Sequence, residues 1–178
     1  MSSARPRILP YDVRPAAVRS YDARSPYVAA TIITLIGGVW PAPAEHIGST
    51  AVPGCDGKGN IDLMIPFAQG ELDCLTAALD ALGFQAWEAP GAHNDGRPVR
   101  IGAIDHDGTR FRMHVHCIPA SSEEVARQRA FRDRLRGDPE LVRAYVAEKH
   151  TILERGMTYG PSFGDAKTSF IQGVLRDE

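Results

Sequence analysis

The sequence predicts an α/β (α+β) protein in which helices flank a mixed β-sheet and the C-terminal part is helical. Three observations favour this class. Segments with strand-like apolar alternation are separated by a stretch with leucines at helical spacing, which indicates a crossover connection. Two further strand-like segments are joined by a short turn, so hairpin and crossover connections coexist, as in mixed sheets. Only helical patterns follow residue 122.

The N-terminal half supplies one helix and two strands. Residues 27–37 predict a helix that ends at Gly37 and Gly38. The apolar stretch 27–40 is shorter than the ~20 residues of a membrane span, so we expect a buried helix. Residues 44–47 predict a short strand that leads into a turn at Gly48, and residues 60–67 predict a second strand.

The rest of the chain supplies a hairpin and four helices. Leucines at positions 72, 75, 79 and 82 predict an amphipathic helix over residues 71–82. Residues 98–104 and 110–118 predict strands joined by a turn containing Asp107 and Gly108. Three helical pieces follow, with breaks near residues 137–139 and 156–161. With 178 residues, 43% of them hydrophobic, we expect one domain over residues 1–178.

Composition excludes several classes of protein. The net charge of −2 gives no strong nucleic-acid signal. Cys55, Cys74 and Cys117 form no C-x-x-C pair and are typical of free thiols in a reducing cytoplasm. The first ten residues lack the apolar region of a secretion signal. We therefore expect a cytoplasmic protein without a membrane segment.

Polar residues on two strands predict a site. Asp62 interrupts an otherwise apolar strand, and carboxylates are seldom buried without a partner. On the strand 110–118, His114 and His116 share a face with Arg110 and Arg112, because alternate residues of a strand point the same way. If the two strands are neighbours, Asp62 converges with both histidines. For the arginines alone, a solvated sheet face is the favoured interpretation.

The segment before Asp62 contains a turn suited to anions. Gly48, Ser49 and Thr50 offer close backbone approach, successive N–H groups and hydroxyls. The alternative is a Ser or Thr helix cap before Pro53, which would contribute stability alone. Neither a Walker A loop nor a G-x-S-x-G elbow is present.

These residues resemble a known family. Gly-Ser followed after twelve residues by Asp62 resembles the signature of the DNA polymerase beta-like nucleotidyltransferase superfamily, and EHIGSTAVPG…K…IDL is similar to the GrpB family. LPYD, MHVH, FRDRLRGDPELVRAY and DAKTSFI resemble GrpB segments in the same order. The resemblance implies a minimal nucleotidyltransferase fold and, less directly, an activity on a nucleotide or other phosphorylated small molecule. A related domain fused to dephospho-CoA kinase suggests an assisting role and a protein partner instead.

The sequence departs from the superfamily at the second acidic position, which holds Met64. Two carboxylates on one strand face hold divalent metal against a triphosphate, and Asp62 alone cannot form that pair. The third acidic position of the superfamily would fall on the strand of His114 and His116. Asp62 with these imidazoles could bind Zn or Mn rather than Mg alone. Histidines that bond carboxylate or phosphate without metal are an equal alternative.

Lysine is rare in this chain. Lys58, Lys149 and Lys167 are the only lysines among 20 basic residues, so 20 − 3 = 17 are arginines. Lys58 lies in the glycine-rich loop 52–59 between the Gly48 turn and the strand of Asp62, which we call the motif loop. The other two lysines fall on apolar stripes of the C-terminal helices. A compact ammonium there could reach an anion at the Gly48–Ser49 turn. The alternative is that both lysines extend along the stripe edge into water.

Three functions follow from the sequence. The first is phosphoryl or nucleotidyl transfer. In it, phosphate is held by Gly48, Ser49 and Thr50. Metal binding or catalysis is the role of Asp62, His114 and His116, and the lysines neutralise charge. In the second, the missing second acid leaves a non-catalytic module that binds a ligand or assists a partner. A metal-dependent hydrolase is a weaker third alternative, because it rests on the His-x-His pair alone.

Overall fold

The computed structural model describes residues 6–15, 17–88, 97–157 and 166–176. Within these ranges every predicted helix and strand is present, with bounds shifted by one to three residues, and the strand β3 is an addition. The elements are α1 (Ser25–Gly37), β1 (Glu45–Ile47), a 3₁₀ turn (Ser49–Ala51), β2 (Ile61–Phe67), α2 (Leu72–Ala81), β3 (Gln85–Ala86), β4 (Val99–His106), β5 (Thr109–Pro119), α3 (Glu123–Gly137), α4 (Pro139–Glu154) and α5 (Thr168–Arg176). Residues 158–161 of the predicted second break lie outside the described residues.

The five strands form one mixed sheet in the order β1-β2-β5-β4-β3. The central pair, β2 and β5, is parallel, whereas the other three pairs are antiparallel. The predicted class is therefore confirmed. The β2–β5 register sets Asp62 opposite His114 and Met64 opposite His116, so these four side chains share one face of the sheet.

The two faces of the sheet are covered differently. Helices α1 and α2 pack on one face, where the odd-numbered residues of β2 and β5 enter the main apolar core; the buried residues that the two strands give it are Ile61, Leu63, Ile65, Phe67, Phe111, Met113, Val115 and Cys117. On the opposite face α3 covers Met64 and Ile118 through Val125. Asp62 and both histidines lie beside this covered area and are partly exposed.

The C-terminal helices also pack on the motif loop. A second cluster joins Val52 and Cys55 of this loop to α3, α4 and α5; its helical members are Phe131, Leu135, Val142, Tyr145 and Val174. The break between α3 and α4 follows from Pro139, which suits the first turn of a helix, and from Asp138. The Asp138 carboxylate accepts hydrogen bonds from the backbone N–H groups of Glu140 and Leu141.

Among the described residues, we find no helix with the length and apolarity needed to cross a bilayer.

Candidate metal and anion site

Asp62, His114 and His116 meet on the partly open face of the sheet. The Oδ1 atom of Asp62 lies 3.4 Å from His114 Nδ1 and 3.6 Å from His116 Nε2. Roughly a quarter to a third of each side chain is exposed, namely 26%, 23% and 34%. The structure thus brings together the three side chains that strand alternation groups on one face.

The distances within this group suit a shared metal ion better than direct hydrogen bonds. Hydrogen bonds between nitrogen and a carboxylate are usually about 2.7–3.0 Å long, shorter than either distance here. Tetrahedral ligands about 2.0–2.1 Å from a zinc ion lie roughly 3.3 Å from one another. One donor atom from each residue falls within 4.8 Å of the other two, so the three can share one ion.

The electrostatic environment keeps Asp62 ionised. Burial alone would raise the pKa of its carboxyl, but the interactions with His114 and His116 outweigh burial, and the pKa lies well below its ordinary value. Asp62 is therefore available as an anionic ligand throughout the physiological pH range.

An outer layer of contacts orients His114. Its Nε2 atom lies 3.0 Å from the hydroxyl of Tyr11 and 3.5 Å from Nδ2 of Asn60. Partners on the second imidazole nitrogen fix the ring and its tautomer in metal sites. Sequence reasoning did not select Tyr11 or Asn60. Two signals were present, since Tyr11 belongs to the quoted LPYD segment and Asn60 shares the strand face of Asp62.

The Gly48 turn packs directly against Asp62. Gly48 has φ +71°, and a Cβ at this position would lie 2.7 Å from Asp62 Oδ2. The buried Thr50 hydroxyl donates to the backbone carbonyl of Asn60 at 2.9 Å. A Cβ at Gly57 of the following loop would lie 2.6 Å from Ser49 Oγ, so the Ser49 side chain lies beside that loop. The predicted anion turn, Asp62 and the loop therefore form one continuous surface.

His46, which sequence reasoning missed, supports the turn from the opposite face of the sheet, because its register partner is Leu63 rather than Asp62. Its Nε2 atom lies 3.0 Å from Thr50 Oγ1. Because the single hydroxyl hydrogen of Thr50 is donated to Asn60, His46 must be the donor in this contact. Burial lowers the pKa of His46 to about 4, against the raising effect of Asp62. His46 is consequently neutral, with its proton on Nε2.

Lys149 is buried and bonded to the motif loop. It is 2% exposed, and its ammonium donates to the carbonyl oxygen of Asp56 and lies 4.4 Å above the ring of Tyr145. Its Nζ atom and Ser49 Oγ both flank Gly57, so the lysine is close to the turn. The structure thus excludes the alternative in which Lys149 extends into water.

The other two lysines form a charged group with Lys149 and Asp62. Lys167 is half-buried and directly precedes α5 rather than lying within it. Burial is the largest cause that lowers the pKa of each lysine, and the charge of Lys167 further lowers that of Lys58 and of Lys149. Asp62 acts in the opposite direction on Lys58 and Lys167. The pKa of Lys58 falls to about 8.

Arg112 corrects the interpretation of the arginines as a solvated pair. It is 6% exposed, its Nη2 donates to the carbonyl oxygen of Lys58 at 3.3 Å, and its guanidinium lies 5.8 Å from the Tyr11 ring centroid. The N-terminal segment covers this part of the sheet, which the strand pattern alone could not reveal. Arg110 does lie at the surface, where it pairs with Asp105.

The sheet and the Gly48 turn place this chain in the class of nucleotidyltransferase folds. It superposes on a crystal structure of the Cid1 poly(U) polymerase with Mg and 3′-dATP bound, with a TM-score of 0.51 and 16% identity over 84% of this chain and 49% of that chain. Such a likeness concerns the fold alone.

The chain belongs to the GrpB family, because the family model described as GrpB protein matches residues 15–177. The crystal structure of the conserved protein GrpB from Enterococcus faecalis superposes with a TM-score of 0.71, at 22% identity, over 90% of this chain and 96% of that one. A UPF0157 protein of Pseudomonas aeruginosa is 35% identical over 133 residues, which are 74% of this chain. This chain spans 53% of the length of that relative.

Proposed function

We propose that this protein binds a nucleotide or other phosphorylated small molecule together with a divalent metal ion, and transfers a phosphoryl or nucleotidyl group. The observation that carries the proposal is the contact of Asp62 with His114 and His116 directly beside the Gly48 turn. A carboxylate–imidazole set and a backbone turn suited to anions then face the same space.

The donor set favours zinc or manganese. Two imidazole nitrogens and one carboxylate oxygen are ligands that suit borderline metals, whereas Mg²⁺ prefers an all-oxygen shell. Asp62, His114 and His116 would hold the ion, and Tyr11 would orient His114. A bound ion would supply Lewis-acid neutralisation of charge on a phosphate oxygen.

The cationic side chains near the turn favour an anionic ligand. Burial lowers the pKa of Lys58, Lys149, Lys167 and Arg112. Asp62 opposes this effect for Lys58 and Lys167, Asp56 opposes it for Lys149, and Asp12 opposes it for Arg112. A polyphosphate bound beside these cations would raise their pKa values towards normal.

The chain's own residues would act by positioning and electrostatics. Gly48 and Ser49 offer the backbone and hydroxyl surface for phosphate, with Thr50 holding the turn on β2. The lysines stabilise the charge that develops on the transferred group. The bound Mg and 3′-dATP of the related Cid1 fold support nucleotide as the first ligand class to test. Because all three cysteines are free thiols, we place the activity in the cytoplasm.

A second candidate is a binding module without catalysis. Met64 occupies the second acidic position and is fully buried, so the two-carboxylate arrangement of the superfamily is absent from β2. In this case the same ligand would bind without group transfer, and a partner protein could respond to it.

The test compares metal and nucleotide binding with group transfer. Calorimetry with Zn²⁺ and Mn²⁺ should show one site in the wild type, and Asp62→Asn should weaken it at least about 10-fold, because it removes an anionic ligand. Asp105→Asn removes an exposed surface carboxylate and is the matched control. Labelled nucleoside triphosphates with Mn²⁺ then test transfer to an acceptor. Binding without transfer selects the second candidate, and the absence of metal and nucleotide binding at millimolar concentration rejects both.

A further inference from the structure

Two aromatic side chains form a corner beside His114. The ring centroids of Tyr11 and Trp87 lie 5.4 Å and 5.9 Å from that of the imidazole. They lie 5.7 Å from each other with an angle of 72° between the ring planes. Both residues are half-buried. The proposed transfer uses the hydroxyl of Tyr11 but neither ring.

The aromatic corner and the anion turn lie at opposite sides of the metal-ligand group. Trp87 follows β3 and donates its backbone N–H to the Val99 carbonyl on β4, and the backbone N–H of Tyr11 donates to the side chain of Gln85 on β3. The Gly48 turn follows β1 at the other edge of the sheet. Side chains bridge the strands between these two features: the Trp87 ring centroid lies 5.9 Å from that of His114, His114 Nδ1 lies 3.4 Å from Asp62 Oδ1, and Asp62 Oδ2 lies beside Gly48. The span of this series of contacts is of the same order as the distance between the base and the terminal phosphate of a nucleotide.

An unpartnered polar atom lies between these two ends. Asn60 is 7% exposed, and its Oδ1 atom accepts no hydrogen bond from any residue within the described ranges. Its backbone carbonyl accepts from Thr50 of the turn, and its Nδ2 atom approaches His114. The Oδ1 atom is inaccessible to solvent and therefore to a ligand, and with the amide reversed it would accept from the His114 Nε2–H or the Tyr11 hydroxyl, so Asn60 ties the turn to His114.

We propose that Tyr11 and Trp87 bind the base of a nucleoside di- or triphosphate whose phosphates lie at the Gly48 turn. The inference rests on the proposed function and narrows its ligand from phosphorylated small molecules to nucleotides. Stacking on aromatic rings tolerates all four bases, since every base has a π-face. The corner therefore selects for a planar ring rather than for one particular base.

The experiment compares ATP with inorganic tripolyphosphate, which carries the anionic chain without a base. Both are titrated into the full-length protein with Mn²⁺ by calorimetry. Trp87→Leu should weaken ATP about 10-fold, equivalent to ~1.4 kcal/mol, and leave the affinities for tripolyphosphate and for Mn²⁺ unchanged. Tyr27→Leu is the matched control, because Tyr27 also packs on an imidazole, that of His106, at 5.0 Å with a 35° tilt. It should change none of these affinities.

Two further readouts keep the result independent of folding. Trp87→Phe retains a smaller ring and should give an intermediate loss of ATP affinity. This variant provides the test if Trp87→Leu folds poorly. Trp40 is buried in the core, so quenching of tryptophan fluorescence by ATP should come mainly from Trp87 and be lost in Trp87→Leu.

The outcomes separate this inference from the proposed function. Equal affinities of wild-type protein for ATP and tripolyphosphate, or an equal loss of both in Trp87→Leu, would overturn the aromatic subsite and leave the phosphate site standing. A protein that binds neither compound with Mn²⁺ would overturn both proposals.

Discussion

Replacement of Lys58 by methionine tests whether the site carries unfavourable positive charge when no ligand is added. Burial lowers the pKa of Lys58 to about 8, with Lys167 and Arg112 acting in the same direction and Asp62 opposing them. The unfolded chain has a lysine pKa near 10.4. Between these two values the unfolded state binds more protons than the folded state, so stability rises with pH.

The size of the effect follows from the two pKa values. At pH 7 the charged form costs the folded state about 3 kcal/mol, and at pH 9.5 the cost has fallen to about 1.4 kcal/mol. Wild-type protein should therefore gain about 2 kcal/mol more stability than Lys58→Met between pH 7 and pH 9.5. Titrations of other groups, including the remaining lysines and cysteines, are common to both proteins and largely cancel in the difference.

The assay is urea denaturation at both pH values without ligand. Arg143→Met is the control, because Arg143 is an exposed cation on α4 whose side chain is 63% accessible. This control should retain the wild-type pH dependence. Added tripolyphosphate should raise the Lys58 pKa and abolish the difference. Parallel stability profiles for wild type and Lys58→Met from pH 7 to 9.5 would refute the buried-charge argument.

Three further predictions concern the surroundings of Asp62. Gly48→Ala should destabilise the protein by ~3 kcal/mol in urea denaturation and weaken metal binding, because the new Cβ would lie 2.7 Å from Asp62 Oδ2 and alanine is also strained at positive φ. The control is Gly54→Ala, which has φ +75° and no atom within 4 Å of the added Cβ, and it should show only the ~1–2 kcal/mol of backbone strain. The pKa of His46 is about 4 in the folded state, below its unfolded value, so the unfolding free energy of the wild type should fall by up to ~3 kcal/mol more than that of His46→Gln between pH 6.5 and pH 4. Equal losses of stability in the two proteins would contradict the buried neutral imidazole. Met64→Asp should cost ~3 kcal/mol or more and create no Mg²⁺ site in calorimetry, because it buries a carboxylate among apolar side chains; gain of Mg²⁺ binding at unchanged stability would show that this position is open.

The strand elements and the grouping of Asp62, His114 and His116 could be predicted because both depend on local alternation. A period of two fixes which side chains share a face, and the parallel pairing of β2 with β5 then brings them together. The short strand β3 has only two residues, both exposed, so it carries no apolar alternation from which it could be predicted.

The outer contacts of the site depend on distant parts of the chain and lay beyond local patterns. Tyr11 reaches His114 across 103 positions of sequence, and it arrives there because Leu9 pairs with Ala103 at the edge of β4. Arg112 is buried for the same reason, since the N-terminal segment crosses that face. Lys149 could be placed on an apolar stripe, but its bond to Asp56 required knowledge of how α4 packs on the motif loop.

The substitution of Met64 for a second acid is coupled to the packing of α3. Met64 lies on the same sheet face as Asp62, yet it is completely buried against Ile47, Ile118 and Val125. A carboxylate there would be removed from water and from any ligand, so this fold cannot simply recover the two-acid arrangement at that position. The residue opposite Met64 in the register is His116, which turns its Nε2 towards Asp62. In the proposed metal site, ligands drawn from two neighbouring strands would replace two acids on one strand, and the change in ligand type from oxygen to nitrogen would favour zinc or manganese over magnesium.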